Sequence, residues 1–289
     1  MLHLMISVLG QELAGWVERL PPSQPRMDAL AAAVRKEFGD RDEPVTAAGL
    51  TAIETVAHRY CRHLQLELHP EGDLAVDRIP PGWPSEDETE IRRHAGPISS
   101  VQRTDDGLAI VAVDSMPSFA VSRTFVEAAI ALADGARGVA LDLRRNGGGD
   151  PETVATIVGW LCGPGIDVSD VVYRDRVRHW TTPDGPALPP DVPVVILISD
   201  RTYSSGEALA YHLRARGRGP LVGQRTPGAA DHVTPVNVTP QVRAILPEAY
   251  VVDTVTGGNW EGTGVQPDVE TTADDTEAIA LATLRDTAG

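Results

Sequence analysis

Between residues 107 and 213, short apolar runs alternate with longer amphipathic segments, and this alternation restricts the folds that the chain can adopt. The apolar runs GLAIVAVDSM (107–116), GVALDLR (138–144) and VPVVILIS (192–199) each have the length of a buried strand. The segments that follow them place apolar residues three and four positions apart, as an amphipathic helix does. Three successive pairs of strand and helix predict an α/β fold with a parallel sheet and covering helices.

Residues at three helix ends refine that prediction. Ser122 is predicted to open the helix after the first strand, because serine is a favoured N-cap. Asp150 followed by Pro151 combines an N-cap residue with a proline at the first helical position. Gly217 or Gly219 is predicted to end the third helix.

The N-terminal part of the chain carries a different pattern. Residues 1–68 repeat apolar residues at helical spacing, and the last of these helices, capped by Thr46, is predicted to continue to Leu68. The stretch 69–97 is rich in proline, glycine and charge, as linkers and flaps are. We therefore predict a small helical N-terminal domain (residues 1–80), a linker or flap (81–105) and an α/β core (106–289). Inside the core, residues 232–253 are rich in Val, Thr and Pro, which predicts irregular β structure.

Charge and composition exclude several classes of function. The chain has 41 acidic residues against 25 Lys and Arg, a formal net charge of −16 at pH 7, which repels nucleic acids and anionic membranes. Cys61 and Cys162 lie far apart without metal-ligand spacing, so neither a metal site nor a cofactor is expected. There is no signal-peptide pattern and no apolar run of about 18 residues, so we expect a cytoplasmic protein. The oligomeric state stays open.

The second predicted strand ends in a glycine-rich stretch, RRNGGGD (144–150). In a parallel sheet, the carboxyl ends of the strands are where loops and helix N-termini converge. Three glycines allow the backbone N–H groups to turn toward an anion. The stretch lacks both the P-loop and the dinucleotide-binding motif. It is therefore either a turn that binds an oxyanion or a plain glycine-rich turn.

The third predicted strand runs into SDRTYSSGEALAYHL (199–213), with two adjacent serines at the start of a helix. A helix N-terminus stabilises negative charge, and a serine there is a nucleophile if a base removes its proton. Ser204 and Ser205 are also favoured N-caps, and Glu207 resembles the partner residue of a capping box. These residues alone leave both roles open.

Three segments in order along the chain resemble motifs of the S41 peptidase family. They are GVALDLRRNGGGD (138–150), VPVVILISDRTYSSGEALAYHLRARGRGPLVGQRTPGAA (192–230) and NWEGTGVQPDVE (259–270). The family includes the C-terminal processing proteases, the tricorn core protease and the modules of interphotoreceptor retinoid-binding protein. The resemblance implies a crotonase/ClpP-like α/β core. The helical N-terminal region, without a PDZ-like segment, resembles the retinoid-binding-protein branch.

The resemblance also implies roles for the residues around the two serines. In the family the nucleophile lies three positions before the helical glutamate, which selects Ser204. The backbone N–H of Ser205 would be one oxyanion donor, and an N–H of the glycine turn, at Gly148 with Gly147 beside it, would be the other. The processing proteases use a lysine as the base, but Ala229 holds its place here. A Ser–Lys dyad is therefore excluded.

The tricorn branch of the family uses a histidine and a glutamate instead, and this arrangement implies a Ser-His-Glu triad. The segment CRHLQLEL nominates His63 as the base, and the third motif nominates Glu261 as the residue that orients it. Cys61 stands two positions before His63, where the family usually has an acidic residue. His232 is the alternative base or a substrate contact.

Two residues of the third motif have alternative roles, and so does the whole protein. Glu261 would otherwise pair with Arg144 or be solvated, and Trp260 is either a substrate wall or a packing residue. The leading function is a serine hydrolase, expected to be a peptidase, with a peptide or small-molecule substrate. The alternatives are a small-molecule biosynthetic enzyme, performing hydrolysis, cyclisation or elimination, and a module that binds an apolar ligand.

Overall fold

A computed structural model describes residues 4–76 and 87–287. The helices are α1 (Ile6–Arg19), α2 (Pro25–Phe38), α3 (Ala47–Ala57), α4 (Glu88–Arg93), α5 (Phe119–Ala133), α6 (Pro151–Cys162), α7 (Ser205–Ala215) and α8 (Thr276–Thr287). The strands are β1 (Gln65–Leu68), β2 (Ile98–Arg103), β3 (Ala109–Val113), β4 (Val139–Asp142), β5 (Asp167–Tyr173), β6 (Val177–Thr181), β7 (Val194–Ile198), β8 (Leu221–Gly223), β9 (His232–Thr239), β10 (Val242–Asp253) and β11 (Val269–Glu270).

The chain forms two compact units, neither of which is continuous in sequence. The first unit consists of Met1–Ser85, Val171–Arg178 and Asp231–Val251, and the second unit consists of Glu86–Asp170, His179–Ala230 and Val252–Gly289. The sequence predicts domains that are each continuous, with boundaries near residues 80 and 105. It does not predict that two later segments join the N-terminal residues. Strand pairing is the physical reason, because β1 forms an antiparallel ladder with β10.

The first unit packs three helices against a sheet. Leu9 of α1, Leu30 of α2 and Ile53 of α3 are fully buried, and they share a hydrophobic core with Val236 of β9 and Val242 of β10. The ladder between β9 and β10 is long and antiparallel. The region predicted as irregular β structure, residues 232–253, is thus an antiparallel pair of strands whose register shifts at two places, between Val242 and Arg243 and between Pro247 and Ala249.

The predicted helix that begins after Thr46 is shorter than expected. The Thr46 side chain accepts a hydrogen bond from the Gly49 N–H, as the predicted cap does, but the helix ends at Ala57. Residues 65–68, predicted as its last turn, form β1 instead. The ladder with β10 pairs the strand along one side, and the Glu54 carboxylate accepts from the Leu66 N–H, which together outweigh the local helical pattern.

The second unit contains a six-stranded mixed sheet in the order β11-β8-β7-β4-β3-β2. Strands β3, β4, β7, β8 and β11 pair in parallel, and β2 is antiparallel to β3. Every residue of β3, β4 and β7 is buried, as the apolar runs predicted. This confirms the predicted α/β fold with parallel strands and helices. The predicted linker is outside the described residues at 81–86, and its residues 98–103 form β2.

Two helix starts in this unit test the predicted caps. Asp150 caps α6 by accepting from the Glu152 N–H, with Pro151 in the first turn, as predicted. The start of α5 differs, because the helix begins at Phe119 rather than after Ser122. The Ser122 hydroxyl is buried and donates to the Pro117 carbonyl, and the Phe119 N–H donates to the Asp150 carboxylate. One aspartate thus anchors the starts of both helices.

Within residues 4–76 and 87–287, none of the helices is both long enough and apolar enough to cross a membrane.

Candidate active site

The segments that follow β4 and β7 meet at one edge of the sheet in the second unit. The two strands are parallel neighbours, with Asp142 beside Leu197, so the chain leaves both at their carboxyl ends. The Thr202 hydroxyl donates to the Leu143 carbonyl at 2.8 Å, and the Ser199 hydroxyl donates to the Arg144 carbonyl at 2.6 Å. These bonds hold the glycine-rich stretch 144–150 (the glycine turn) and the turn at residues 203–206 (the serine turn) side by side, at the carboxyl ends of the strands, where α/β folds commonly bind ligands.

Ser204 occupies a strained position in a tight turn. Its backbone has φ 51° and ψ −118°, and the Gly206 N–H donates to the Tyr203 carbonyl at 2.9 Å. This is the geometry of a type II′ turn with Ser204 at the second position, where glycine is usual. Positive φ is costly for serine, and such strain is found mainly at functional sites. The turn presents Ser204 at the N-terminus of α7.

The glycine turn lies directly against Ser204. Gly148 has φ 96°, and a Cβ at this position would lie 2.7 Å from the Ser204 Cβ, so only glycine fits. The Asn146 carbonyl accepts from the Tyr203 N–H at 2.8 Å, which ties the two turns together. The structure therefore brings together two of the predicted site residues, Ser204 and Gly148.

The N–H groups of the glycine turn are not arranged as predicted. The Gly148 N–H donates to Asn146 Oδ1 at 2.9 Å, and the Gly147 N–H donates to the Asp114 carbonyl at 3.1 Å. Both N–H groups predicted as donors in the glycine turn are thus engaged inside the protein, that of Gly148 because the Asn146 side chain folds back over its own turn. Within the described part of the chain, the N–H groups of Ser205 and Gly149 have no acceptor.

The Ser205 side chain does not cap the helix. Its hydroxyl donates to the Gly149 carbonyl at 2.7 Å, which joins the start of α7 to the glycine turn. Its backbone N–H is left at the helix N-terminus, next to the strained Ser204. The two serines therefore differ in conformation and in hydrogen bonding, although the sequence presents them as neighbours of equal chemistry.

Glu207 has a larger role than its capping position predicts. Its buried carboxylate accepts from the N–H groups of Ser204 at 3.0 Å, Gly228 at 2.7 Å and Ala229 at 2.9 Å, and from the Thr226 hydroxyl. Burial raises the pKa of Glu207, and these hydrogen bonds oppose that shift. One side chain thus connects the serine turn to the segment 226–229. In the sequence, only the capping pattern indicates a role for Glu207, and this pattern predicts a contact with Ser204 but none with segment 226–229.

Glu261 and Trp260 contact the end of that segment and the residue that follows it. Glu261 Oε2 accepts from the Ala230 N–H at 2.6 Å, and the Trp260 indole donates to the Ala229 carbonyl at 3.2 Å. Trp260 is only 1% exposed and packs against Tyr211, with ring centroids 5.1 Å apart. The burial and the ring contact support the packing role of Trp260, and a role as a substrate wall stays a prediction.

The alternative partner of Glu261, Arg144, is engaged elsewhere. Its guanidinium donates to Asp142 in two places, at 2.9 and 2.6 Å, and to Glu277 at 2.7 Å. These carboxylates raise the pKa of Arg144 above its ordinary value. The structure therefore gives no support to an ion pair between Arg144 and Glu261.

The two candidate bases belong to the first unit. His63 lies in the turn between α3 and β1, not on a helix, and is 5% exposed. His232 is the first residue of β9. Burial lowers the pKa of each imidazole to about 4, with a further repulsion from His232 in the case of His63 and from Arg178 in the case of His232. Ser204 and Glu261 belong to the second unit, so the assignment of a triad stays a prediction.

The buried His63 predicts a specific dependence of stability on pH. Its pKa falls from 6.5 to about 4 on folding, so between these values the unfolded chain binds a proton that the folded chain excludes. The free energy of unfolding is expected to fall as the pH drops through this window, with a contribution from His63 of about 2 kcal/mol between pH 7 and pH 5. Urea unfolding of the wild type and of His63→Gln at both pH values measures it.

The free energy of unfolding is expected to depend less steeply on pH in His63→Gln than in the wild type. The exposed His94 offers a matched control, because His94→Gln removes a histidine whose side chain is 75% exposed. An identical change in unfolding free energy for His63→Gln and the wild type contradicts the buried neutral state of His63.

Comparisons with known proteins agree with the fold and identify the family. The family model for "Peptidase family S41" matches residues 107–271. The chloroplastic C-terminal processing peptidase of Tetradesmus obliquus is 29% identical over 136 residues, which are 47% of this chain and 29% of that protein. The matched region thus spans less than a third of that relative's length.

Two solved structures resemble the chain over nearly its whole length. One, from Parabacteroides merdae and provisionally assigned as a peptidase, has a TM-score of 0.64 at 14% identity and covers 96% of each chain. The other, a lipoprotein from Streptococcus agalactiae, has a TM-score of 0.63 at 16% identity, covering 99% of this chain and 98% of that one. At such identities the likeness concerns the fold alone. The family match over residues 107–271 covers more than half of the sequence, and the chain therefore belongs to peptidase family S41.

Proposed function

We propose that the protein is a serine hydrolase that cleaves a peptide or another acyl bond through an acyl-enzyme on Ser204. Membership of the S41 family supports a peptidase or hydrolase. The observation that carries the proposal is the strained conformation of Ser204 at the N-terminus of α7, with Gly148 in contact beside it. Strain of this kind is retained when it serves to present a side chain.

The chemistry follows that of other acyl-transfer enzymes. The Ser204 oxygen attacks the substrate carbonyl while an imidazole takes the hydroxyl proton, and the same proton then passes to the leaving group as the acyl bond breaks. The imidazole then takes a proton from a water molecule as the water oxygen attacks the acyl carbonyl, and it returns that proton to the Ser204 oxygen as the acyl–serine bond breaks. The negative oxygen of each tetrahedral intermediate needs N–H donors. We propose the N–H groups of Ser205 and Gly149 for this role, because the structure gives neither an internal acceptor among the described residues.

The assignment of the base rests on the family resemblance. We propose His63 as the base, oriented by Glu261, and His232 as the alternative. A base must be neutral before it accepts a proton, and burial favours the neutral form of both imidazoles at pH 7. The Glu261 carboxylate is partly occupied by the Ala230 N–H, which fixes its direction within its own loop.

A fluorophosphonate probe tests the proposal directly, because it reacts with activated serines. The expected result is stoichiometric labelling, located on Ser204 by tandem mass spectrometry. Labelling is expected to disappear in Ser204→Ala and to persist in Ser205→Ala, which keeps its backbone N–H. Folded protein that is not labelled at all contradicts the proposal and favours a binding module instead.

A further inference from the structure

A single arginine side chain joins three segments of the first unit. Arg26 lies in the first turn of α2, and its Nη1 donates to the Tyr60 carbonyl at 2.7 Å and to Asp231 Oδ2 at 2.9 Å. Its Nη2 donates to Asp231 Oδ1 at 2.8 Å. Two parallel bonds between a guanidinium and a carboxylate define both distance and orientation. Arg26 therefore fixes the turn after α3 and the start of β9 relative to α2.

The two acceptors of Arg26 lie close in sequence to the two candidate bases, the buried His63 and the partly buried His232. Tyr60 lies three residues before His63, and Asp231 directly precedes His232. The Cys61 thiol also hydrogen-bonds the Asp231 carboxylate, which adds a second link between the two segments. The turn with His63 and the strand start with His232 are thus joined through one carboxylate.

A gain in net folding stability does not explain why the chain has a buried ion pair at this place. The Asp231 side chain is 1% exposed and the Arg26 side chain 27% exposed, so the carboxylate has lost nearly all of its hydration. Burial raises the pKa of Asp231, and the attraction to Arg26 opposes this. Buried ion pairs commonly contribute little net free energy, because desolvation offsets the attraction. What the bidentate pair does supply is a defined geometry.

We propose that Arg26 and Asp231 are positioning residues that hold His63 and His232 in one arrangement and so keep the base in its working orientation. The link to the base rests on the proposed function, whereas the link to the two histidines rests on the contacts above. Of the charged and titratable groups, His232 repels the protonated form of His63, and Arg178 on β6 repels that of His232. Asp231, which binds Arg26 of α2 and the Cys61 thiol, directly precedes His232.

Titration of the histidines by NMR tests the proposal without any need for catalysis. In the wild type both imidazoles are expected to titrate near pH 4, with assignments from His63→Gln and His232→Gln. In Arg26→Gln and in Asp231→Asn the turn loosens and admits water, so at least one pKa is expected to rise by about one unit or more toward 6.5. Arg35→Gln is the matched control, because Arg35 lies on the same helix as Arg26 and its substitution breaks an exposed ion pair to Glu18 of α1.

Kinetics supplies the second readout. For the substrate that the wild type hydrolyses, kcat is expected to fall at least about 10-fold in Arg26→Gln with little change in KM, because the base and not substrate binding is disturbed. Arg26→Lys keeps the charge but loses the bidentate bond, so an intermediate effect is expected, and this variant serves if Arg26→Gln does not fold.

The outcomes separate the two proposals. Folded Arg26→Gln with unchanged histidine titrations and unchanged kcat overturns the positioning role. A wild type without turnover dependent on Ser204 overturns the proposed function, while the titrations still decide whether Arg26 and Asp231 hold the histidines.

Discussion

Replacement of Ser204 by alanine is expected to lower kcat/KM by about 1000-fold or more, on whichever peptide or ester the wild type hydrolyses. The hydroxyl is the proposed attacking atom, and neither the oxyanion donors nor the base acts in its place. Initial rates on a panel of peptides and esters give the measurement. Turnover that is unchanged in Ser204→Ala removes Ser204 from the mechanism.

A second substitution at the same position separates chemistry from strain. Ser204→Gly is expected to be as inactive as Ser204→Ala, yet more stable than it by about 1 kcal/mol, because glycine adopts φ 51° without steric conflict. Thermal or urea unfolding of the two variants measures the difference. Equal stability would mean that the turn relaxes when the hydroxyl is absent.

The sequence predicted the sheet of the second unit well, for a simple physical reason. Strands β3, β4 and β7 are buried on both faces, so they appear as continuous apolar runs, and the helices between them have their own periodicity. Ser204 was selected by a motif in which every residue is close in sequence. Local patterns of this kind can be recognised in a single sequence.

The features that sequence analysis missed all depend on partners far apart along the chain. The segment 231–251 joins the N-terminal residues because β10 pairs with β1, and no local pattern encodes that pairing. The Gly148 N–H is unavailable because the side chain of Asn146 accepts it, an orientation that a string of glycines does not predict. Arg26 is an ordinary residue of a helix start until Asp231 is placed beside it.

Glu207→Ala is expected to give the second large effect, on both stability and catalysis. The substitution leaves three backbone N–H groups, those of Ser204, Gly228 and Ala229, without their acceptor in a buried site. At about 1–3 kcal/mol for each unsatisfied group, the free energy of unfolding is expected to fall by at least about 3 kcal/mol. With the serine turn released, kcat is expected to fall about 100-fold while KM changes little.

Glu207→Gln distinguishes an acceptor that positions the turn from a charge that the reaction needs. The Thr226 hydroxyl can reverse and accept, so the glutamine amide nitrogen is expected to face Thr226 and leave the remaining oxygen for Ser204 and Ala229. Most of the lost kcat and the fluorophosphonate labelling rate should therefore return. The Gly228 N–H shares the Thr226 side of the carboxylate and loses its acceptor, so stability is expected to return only in part. Glu152→Ala, in the exposed first turn of α6, controls for loss of a helix-start carboxylate. If the glutamine variant is folded but as inactive as the alanine variant, the negative charge of Glu207, and not its position as an acceptor, is what catalysis requires.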